Sequence, residues 1–598
     1  MKQFYHDIFY LFRRRDRWRF LALVFLLVTG AGIELLSLAS IPFFVALLGE
    51  TPDSNTWKLP FQLFSSPAEV GFLHRVALGS LVFLGLFAFR TLYFYFSCSL
   101  QQRILNNRCV ELGSKLFEAY MSAPYSFLLQ RNSQDLVNAV VIESDRVANR
   151  VLGPSFNLLR SLLVLLTIVL TLLFYNPLVT LVAFALLMIF AGLFLYFNRR
   201  KVVKYGELDA RNREQALSLV AESIGAYKEI KVSGTQRYFQ QQLHQSLERI
   251  ADSRRWLEVN QQFMWPYLEL VTVSVMVVAT LMTASLHAEQ LNSVAPAMAF
   301  FAAALFRMKG YVTDGMLNFS VLRYNWVSVR LVSADLRRLE KAALTLSRPE
   351  AEMPFKDKIE VQGLCFRYEG SARDALQNIN LSISRGSTIA LVGATGSGKS
   401  SMLDLLLGFL QPQQGKILVD GRDIHENLPA WQKQIGLVPQ QIFLLDASIR
   451  ENVAFGVPKE QLDERALDKA LEAAQLQEFI AALPDGADSH IGEGGIRISG
   501  GQRQRIGIAR ALYRNPALLV FDEATAALDS LTEEALTAAM QKLHGKHTLI
   551  VVAHRLSTVQ NADRLFFFNQ GQLLAQGDFN ELCRESTQFS EMAAKSMM

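Results

Sequence analysis

The chain has 598 residues, of which 51% are hydrophobic, and a formal net charge of +5. Its mean hydropathy is +0.18, which is high for a soluble protein, and its length exceeds one ordinary domain. Much of the basic surplus flanks apolar runs, so we attribute the charge to membrane topology and expect no nucleic acid as a partner. The four cysteines lack metal-ligand spacing and are expected to be reduced thiols.

Apolar residues form long unbroken runs before about Ser320 and short pieces after Ile359. A helix that spans a bilayer needs roughly 20 mainly apolar residues. The runs therefore predict an all-α region with six spans, the last of which continues beyond Arg307 although Lys309 and Asp314 interrupt its apolar run. The six predicted spans are Phe20–Leu48, Val76–Leu100, Phe156–Tyr175, Leu178–Phe197, Leu268–His287 and Val294–Arg307.

The flanking charges orient these spans. Five arginines lie within the first 19 residues, whereas the connection Ser285–Ser293 has no Lys or Arg, so the positive-inside rule predicts that both termini are cytoplasmic. The charged segments Gln101–Leu152 and Arg199–Gln262 are too long for simple loops, which predicts helices that extend far beyond the membrane. The first external connection, Gly49–Leu73, fits either an amphipathic helix on the membrane surface or an ordered loop.

After a polar linker, the pattern changes to β-rich runs that alternate with helical segments, which is typical of an α/β domain. The sequence thus predicts a multi-domain chain: an all-α six-helix transmembrane domain at residues 1–340, a linker at 341–356 and an α/β domain at 357–598.

A glycine-rich loop in the α/β domain follows the apolar strand Ile389–Val392 and precedes a helical segment. In this context the sequence predicts a P-loop, whose backbone N–H groups converge on phosphate oxygens. Lys399 would neutralise the β- and γ-phosphates, and the Ser400 hydroxyl would hold Mg²⁺. The alternative is a chance glycine-rich turn. The residues expected at the nucleotide are Gly393, Ala394, Thr395, Gly396, Ser397, Gly398, Lys399, Ser400 and Ser401.

A second apolar strand ends in two carboxylates, Asp522 and Glu523. A buried strand that delivers acids to its tip suits Mg²⁺ binding by Asp522 and polarisation of the attacking water by Glu523. Taken alone, the two acids also fit a solvated pair that opens a helix.

Between these two motifs lies the segment Ile498-Ser499-Gly500-Gly501-Gln502. It resembles the signature of ABC transporter ATPases, with Ile498 in place of the usual leucine, and the chain carries further residues of that family in the same order. The resemblance implies adenine stacking by Tyr368, Mg²⁺ sensing by Gln440, communication across a dimer by Asp529 and γ-phosphate contact by His554.

Six spans before one nucleotide domain make the whole chain similar to ABC half-exporters. The resemblance implies ATP and Mg²⁺ as cofactors and a homodimer, in which each ATP lies between the P-loop of one subunit and the Ser499–Gln502 signature of the other. It also implies a location in the bacterial inner membrane. An ABC protein that only gates or regulates is disfavoured, because the catalytic residues Glu523 and His554 are intact.

Ionisable residues inside the spans are the remaining candidates for substrate binding. A charge at the bilayer centre costs at least about 2.5–3.5 kcal/mol, so such residues face a cavity or a partner. Either Glu34 or Glu269 pairs with Arg90 to lock helices together, or Arg90 and Arg307 attract an anionic head group. The substrate candidates are Glu34, Arg90, Glu269 and Arg307.

The segments around these charges are similar to those of the flippases that move lipid-linked oligosaccharides for bacterial N-glycosylation. In that family, cavity arginines are thought to engage a lipid pyrophosphate. One position departs from the family, because Trp265 stands where an arginine is expected. The resemblance implies a polyprenyl-pyrophosphate-linked oligosaccharide as the substrate, and the alternative is export of another lipid, a drug or a peptide.

Overall fold

The computed structural model describes residues 17–49, 72–129, 131–175, 177–286, 291–343, 353–522, 538, 540–553 and 559–597. Most of the predicted external connection (50–71) and of the predicted linker (344–352) therefore lies outside the described residues. The chain divides into two compact units, Met1–Ala123 with Leu128–Ala343 and Pro124–Phe127 with Leu344–Met598.

The part of the chain before the linker is helical, because its long apolar runs offer the backbone few other ways to satisfy its hydrogen bonds in lipid. Residues Asn138–Glu143 and Arg146–Leu152 are wound as π-helices. The α-helices, in chain order, are α1 (Arg17–Gly49), α2 (Phe72–Met121), α3 (Tyr125–Leu129), α4 (Ser133–Val137), α5 (Gly153–Tyr175), α6 (Pro177–Gly225), α7 (Tyr227–Ser233), α8 (Gln236–Leu286), α9 (Leu291–Tyr324) and α10 (Trp326–Ala343).

Helices α2, α6 and α8 are much longer than a bilayer is thick. They have 50, 49 and 51 residues. At 1.5 Å per residue each measures about 75 Å, against a hydrocarbon core of about 30 Å. The expected extension of these helices beyond the apolar region is therefore present.

Four described helical segments are long and apolar enough to cross a membrane, and they include the first four predicted spans in whole or in large part. These segments are Leu21–Ile41, Val76–Met121, Arg146–Phe174 and Pro177–Gly225. The fifth and sixth predicted spans fall on α8 and α9, and as membrane spans they stay predictions. As expected, the helix of the sixth span continues beyond Arg307, and α9 runs through Lys309 and Asp314. Lys309 forms an ion pair with Glu269 on α8, 3.0 Å apart, which compensates its charge within the bundle.

A buried carboxylate joins the charged extensions of the long helices. Asp209 on α6 is 1% exposed. It forms ion pairs with Arg213 one turn further along α6, with Arg146 at 3.3 Å and with Arg254 of α8 at 3.4 Å. Moving one segment away from the others would leave a buried charge without a partner, which is costly. The network therefore stabilises the packing of the three segments against one another.

The described strands of the second unit are β1 (Lys358–Phe366), β2 (Leu376–Ser384), β3 (Thr388–Gly393), β4 (Gln414–Val419), β5 (Arg422–Asp423), β6 (Ile435–Val438), β7 (Leu518–Asp522), β8 (Thr548–Val552), β9 (Arg564–Asn569) and β10 (Gln572–Gly577). They form two sheets. One is a four-stranded antiparallel sheet in the order β2-β1-β4-β5. The other has six strands in the order β10-β9-β3-β8-β7-β6, all parallel except β10.

Helices pack around the six-stranded sheet, whose central strands β3, β7 and β8 are buried almost throughout, as parallel strands usually are. This arrangement confirms the predicted α/β fold. The helices are α11 (Lys399–Leu406), α12 (Leu428–Gln432), α13 (Ile449–Val453), α14 (Glu464–Ala473), α15 (Gln477–Ala481), α16 (Gly500–Tyr513), α17 (Phe579–Glu585) and α18 (Thr587–Met597).

Helix α6 approaches the end of α9 closely at Gly206. A Cβ atom at this position would lie 2.2 Å from the carbonyl oxygen of Tyr324. Because the obstructing atom belongs to the backbone, a change of side-chain rotamer does not relieve the overlap.

We expect Gly206→Ala to destabilise the first unit by about 1–3 kcal/mol, the usual cost of forcing extra volume into a packed site. The measurement is the melting temperature in detergent. Gly192→Ala on the same helix is the control, because nothing lies within 4 Å of the Cβ that it adds. Equal melting temperatures for the two variants would contradict the close approach of α6 and α9.

Candidate functional site: a nucleotide site and an intramembrane cavity

The glycine-rich loop joins β3 to the N-terminus of α11, as the sequence predicts. Gly398 caps α11 with φ 107°, and a Cβ there would lie 2.9 Å from the Ala375 carbonyl oxygen, so glycine is required. The Lys399 ammonium donates hydrogen bonds to the carbonyl oxygens of Gly393 at 2.8 Å and Ala394 at 3.0 Å. The loop is therefore held in a closed turn by the same lysine that is expected to meet the phosphates.

A cavity of about 950 Å³ lies beside this loop. The Tyr368 hydroxyl lies 3.0 Å from Ser401 Oγ, so the expected adenine-stacking residue is within reach of the P-loop helix. The Ser397 hydroxyl is buried and has no hydrogen-bond partner among the described residues, and it is not part of the cavity lining. The predicted site residues that line the cavity are Tyr368, Thr395, Gly396, Gly398, Lys399, Ser400 and Ser401.

The same cavity is lined by residues that sequence reasoning missed, among them Arg373, Gln377 and Gln570. Arg373 follows Tyr368 in a turn, and Gln570 follows β9. Neither belongs to a motif. The only sequence signal for Arg373 is its basic side chain five residues after Tyr368, the aromatic residue that is expected to stack on adenine.

The remaining nucleotide residues follow other strands of the sheet. Asp522 ends β7, and Gln440 lies two residues after the end of its parallel neighbour β6. The carboxyl ends of parallel strands share one edge of a sheet, so both residues lie at the edge where the P-loop begins. Among the described residues, the cavity lining does not include either of them.

Asp404 on α11 is a second carboxylate near this edge that the sequence analysis did not single out. Burial and the negative charge of Asp522 raise the pKa of Asp404 from 3.8 to about 6. The two acids therefore repel each other when both are ionised.

The signature segment forms an exposed helix N-terminus. Ser499 caps α16: its hydroxyl accepts a hydrogen bond from Gln502 N at 3.2 Å, and Ser499 N donates to Gln502 Oε1 at 2.8 Å. The amides of Gly500 and Gly501 are not part of this capping box, and a helix N-terminus favours anions. In the described part of the chain, no signature residue lines the cavity at the P-loop.

Three predicted site residues, Glu523, Asp529 and His554, lie outside the described residues. Their predicted roles stay predictions.

The first unit contains a cavity of about 370 Å³ between α1, α2, α5 and α9. Glu34 is 5% exposed and lies at its wall. One of its carboxylate oxygens pairs with Arg90 Nε, and the other accepts a hydrogen bond from Arg307 Nε at 2.6 Å. Of the two carboxylates expected to pair with Arg90, it is Glu34 that does so. The same carboxylate also binds Arg307.

Two other charged residues change the predicted substrate set. Glu269 pairs with Lys309 and is absent from the lining that the structure describes. Arg160 on α5 lines the cavity; its guanidinium lies 5.0 Å from the centroid of the Phe94 ring, and its Nε is buried without a hydrogen-bond partner among the described residues. Of the four predicted substrate residues, the structure therefore brings Glu34, Arg90 and Arg307 together at the cavity and leaves Glu269 out of its described lining. Arg160 joins the candidate substrate residues.

A helical domain with candidate membrane spans, followed by an α/β domain that carries both a P-loop and the Ser499–Gln502 signature, is typical of an ATP-driven membrane transporter. Residues 20–308 match the family model of the ABC transporter transmembrane region, and residues 376–526 match the family model described as ABC transporter. The chain belongs to the ABC transporter family. It is a half-exporter and a multi-pass membrane protein that couples ATP hydrolysis to transport, as predicted.

Its relatives transport different cargoes. The chain is 31% identical to an ATP-dependent lipid A-core flippase of Cupriavidus metallidurans over 494 residues, which is 81% of each chain. It is 34% identical to a leukotoxin translocation ATP-binding protein of Mannheimia haemolytica, over 80% of this chain and 66% of that protein. A solved bacterial Atm1-family ABC exporter with ATP bound has the same fold, with a TM-score of 0.82, 23% identity and coverage of 98% and 99%.

We expect Asp404→Asn to stabilise the nucleotide-free protein in a pH-dependent way. A carboxyl group with a raised pKa contributes stability below its unfolded pKa of about 3.9 and loses it as the pH rises through the folded value. Asparagine does not ionise, so the variant should melt at a higher temperature than the wild type at about pH 8, and by a clearly smaller margin at about pH 5, which lies between the unfolded and folded pKa values.

Asp468→Asn, which changes an exposed carboxylate on α14, is the matched control and should show no such pH dependence. If the two variants follow the same pH profile, repulsion between Asp404 and Asp522 is not what destabilises the native state.

Proposed function

We propose that this half-exporter, as a homodimer in the bacterial inner membrane, flips a lipid whose head group carries a phosphate or pyrophosphate. The substrate is a polyprenyl-pyrophosphate-linked oligosaccharide. The observation that carries the proposal is the cavity between α1, α2, α5 and α9, where three arginines from three helices meet.

Arginine suits such a head group for two reasons. Its guanidinium stays protonated in an apolar setting, and its planar fork binds phosphate oxygens in pairs. Charges inside a membrane domain usually mark a substrate pathway. A volume of about 370 Å³ lies within the usual range of about 300–1,000 Å³ for ligand pockets, so the cavity has room for the phosphate or pyrophosphate of a head group, although not for a whole oligosaccharide.

Lipid A, which also carries phosphate groups, is the second candidate. The observation in its favour is the similarity of the chain to two lipid A-core flippases, at 31% identity and 81% of their length. Both candidates present the same anionic chemistry to the arginines, and they differ in the rest of the head group.

Energy for the transport comes from a nucleotide site completed by a second subunit. One chain carries one P-loop and one signature, and the exposed end of α16 is available to the nucleotide of a partner. In this arrangement Ser400, Gln440 and Asp522 hold Mg²⁺, Glu523 polarises the attacking water, His554 contacts the γ-phosphate and Asp529 communicates across the dimer. Both termini and the nucleotide domain face the cytoplasm.

The substrate assignment is tested with the Arg90→Ala, Arg307→Ala double variant. A hydrogen bond to a charged group contributes about 1.5–3 kcal/mol, so loss of both arginines should raise the lipid concentration for half-maximal ATPase stimulation by at least about a hundredfold. The measurements are ATPase activity and lipid flipping in proteoliposomes. Nucleotide affinity should persist, since the P-loop residues are unchanged. Full translocation by the double variant would end the head-group proposal and leave the exporter assignment intact.

Glu523→Gln tests the catalytic assignment. Because the amide no longer accepts a proton from the attacking water, we expect steady-state hydrolysis to fall by about 10²–10⁴-fold while ATP binding is retained. Lys399→Ala is the contrasting variant, and it should weaken nucleotide binding itself. Normal turnover by the Glu523→Gln variant would remove Glu523 from the role of general base.

A further inference from the structure

The two arginines proposed to bind the substrate are already bound by Glu34. The carboxylate contacts both at once, with Oε2 on Arg90 and Oε1 on Arg307. Arg307 Nη2 also lies 2.5 Å from Oε1, although off the direction of a hydrogen bond. A carboxylate and a phosphate use the same guanidinium donors, so Glu34 takes the place of an anionic head group on both arginines.

The burial of these side chains strengthens the competition. The Glu34 side chain is 7% exposed, against 29% for Arg90 and 24% for Arg307. Attraction between opposite charges grows as water is excluded, and a buried charge without a partner is costly. An incoming anion must therefore compensate both arginines before Glu34 can leave them.

A polar neighbour remains beside Glu34 when the arginines turn away. Tyr311 on α9, a residue of the same cavity wall, lies close enough to Glu34 to interact with it. Displacement from the arginines therefore leaves the carboxylate next to a polar group and not in wholly apolar surroundings.

The balance of charge in the cavity sets the smallest number of negative charges with which a head group can displace Glu34. The lining contains three arginines and two carboxylates, Glu34 and Asp314. Asp314 is close enough to Arg160 to interact with it electrostatically. Glu34 brings one negative charge to Arg90 and Arg307, so a phosphodiester with a single charge replaces it without gain, whereas a head group with two or more charges compensates both arginines better.

We propose that Glu34 is a built-in competitor that restricts the cavity to lipids with at least two negative charges on the head group and rejects the singly charged phospholipids of the bilayer. This inference rests on the proposed function, because it assigns the selectivity of the same cavity. Glu34 is therefore a specificity-determining residue and not a catalytic one.

The test compares wild type and Glu34→Gln in phosphatidylcholine nanodiscs doped with undecaprenyl pyrophosphate, lipid A or phosphatidylglycerol. ATPase stimulation is measured relative to phosphatidylcholine alone for each variant. Glutamine has the shape of glutamate and no charge, so the concentration of the doubly charged lipids for half-maximal stimulation should fall by about tenfold. Phosphatidylglycerol, which should leave the wild type unstimulated, should now stimulate the variant.

Two variants guard against a folding defect and a general charge effect. Glu34→Asp keeps the charge but shortens the reach to the two arginines, and it should shift the half-maximal concentration in the same direction by a smaller factor. Glu269→Gln makes the identical substitution at a carboxylate that pairs with Lys309 and is 58% exposed. It should retain the wild-type selectivity.

The inference is overturned if Glu34→Gln needs the same or a higher concentration of every doped lipid, because Glu34 then positions the arginines instead of competing for them. It is also overturned if Glu269→Gln gains the same response to phosphatidylglycerol. A wild type that no doped lipid stimulates would refute the proposed function itself. Of undecaprenyl pyrophosphate and lipid A, the lipid with the lower half-maximal concentration identifies the source of the head group.

Discussion

Lipid hydrocarbon hydrogen-bonds neither peptide groups nor charged side chains, and this constraint shapes the first unit. The backbone satisfies it by forming helices, which continue for 49 residues or more in three cases. The charges satisfy it by pairing between helices: Glu34 with Arg90 and Arg307, and Glu269 with Lys309. The pairs that compensate these charges also join α1 to α2 and α9, so the lining of the cavity and the packing of the bundle depend on the same contacts.

A topological constraint plays the corresponding part in the second unit. Parallel strands release their chain at a common edge, and β3, β6 and β7 therefore deliver the P-loop, Gln440 and Asp522 to one side of the sheet. The signature lies at the N-terminus of helix α16 and not at the end of a strand. Its position is thus independent of that edge, which suits the proposed action of the signature on the nucleotide of a second subunit.

Much of this architecture was predictable because it follows from patterns of residues that are close together in the sequence. The P-loop, the acidic strand and the apolar runs each lie within a few consecutive residues. The partners of the membrane charges were not predictable, since hydropathy gives the depth of a residue but not the rotation of its helix. Glu34 meets residues 56 and 273 positions away, and Glu269 finds Lys309 instead of Arg90. Asp404 escaped notice because nothing local marks it: its altered pKa comes from burial and from Asp522 on another element.

The N-terminus of α16 has an implication for how substitutions would be tolerated there. A Cβ added to Gly500 would meet nothing within 4 Å, and the residue does not adopt a positive φ. Neither folding nor packing within the described chain calls for glycine at this position, yet a side chain there would cover the amide that the capping box leaves exposed. A screen for expression or thermal stability would therefore accept larger residues at position 500. If the proposed dimer forms, a screen for ATP turnover would reject them, and the difference between the two maps would outline the surface that serves a second subunit.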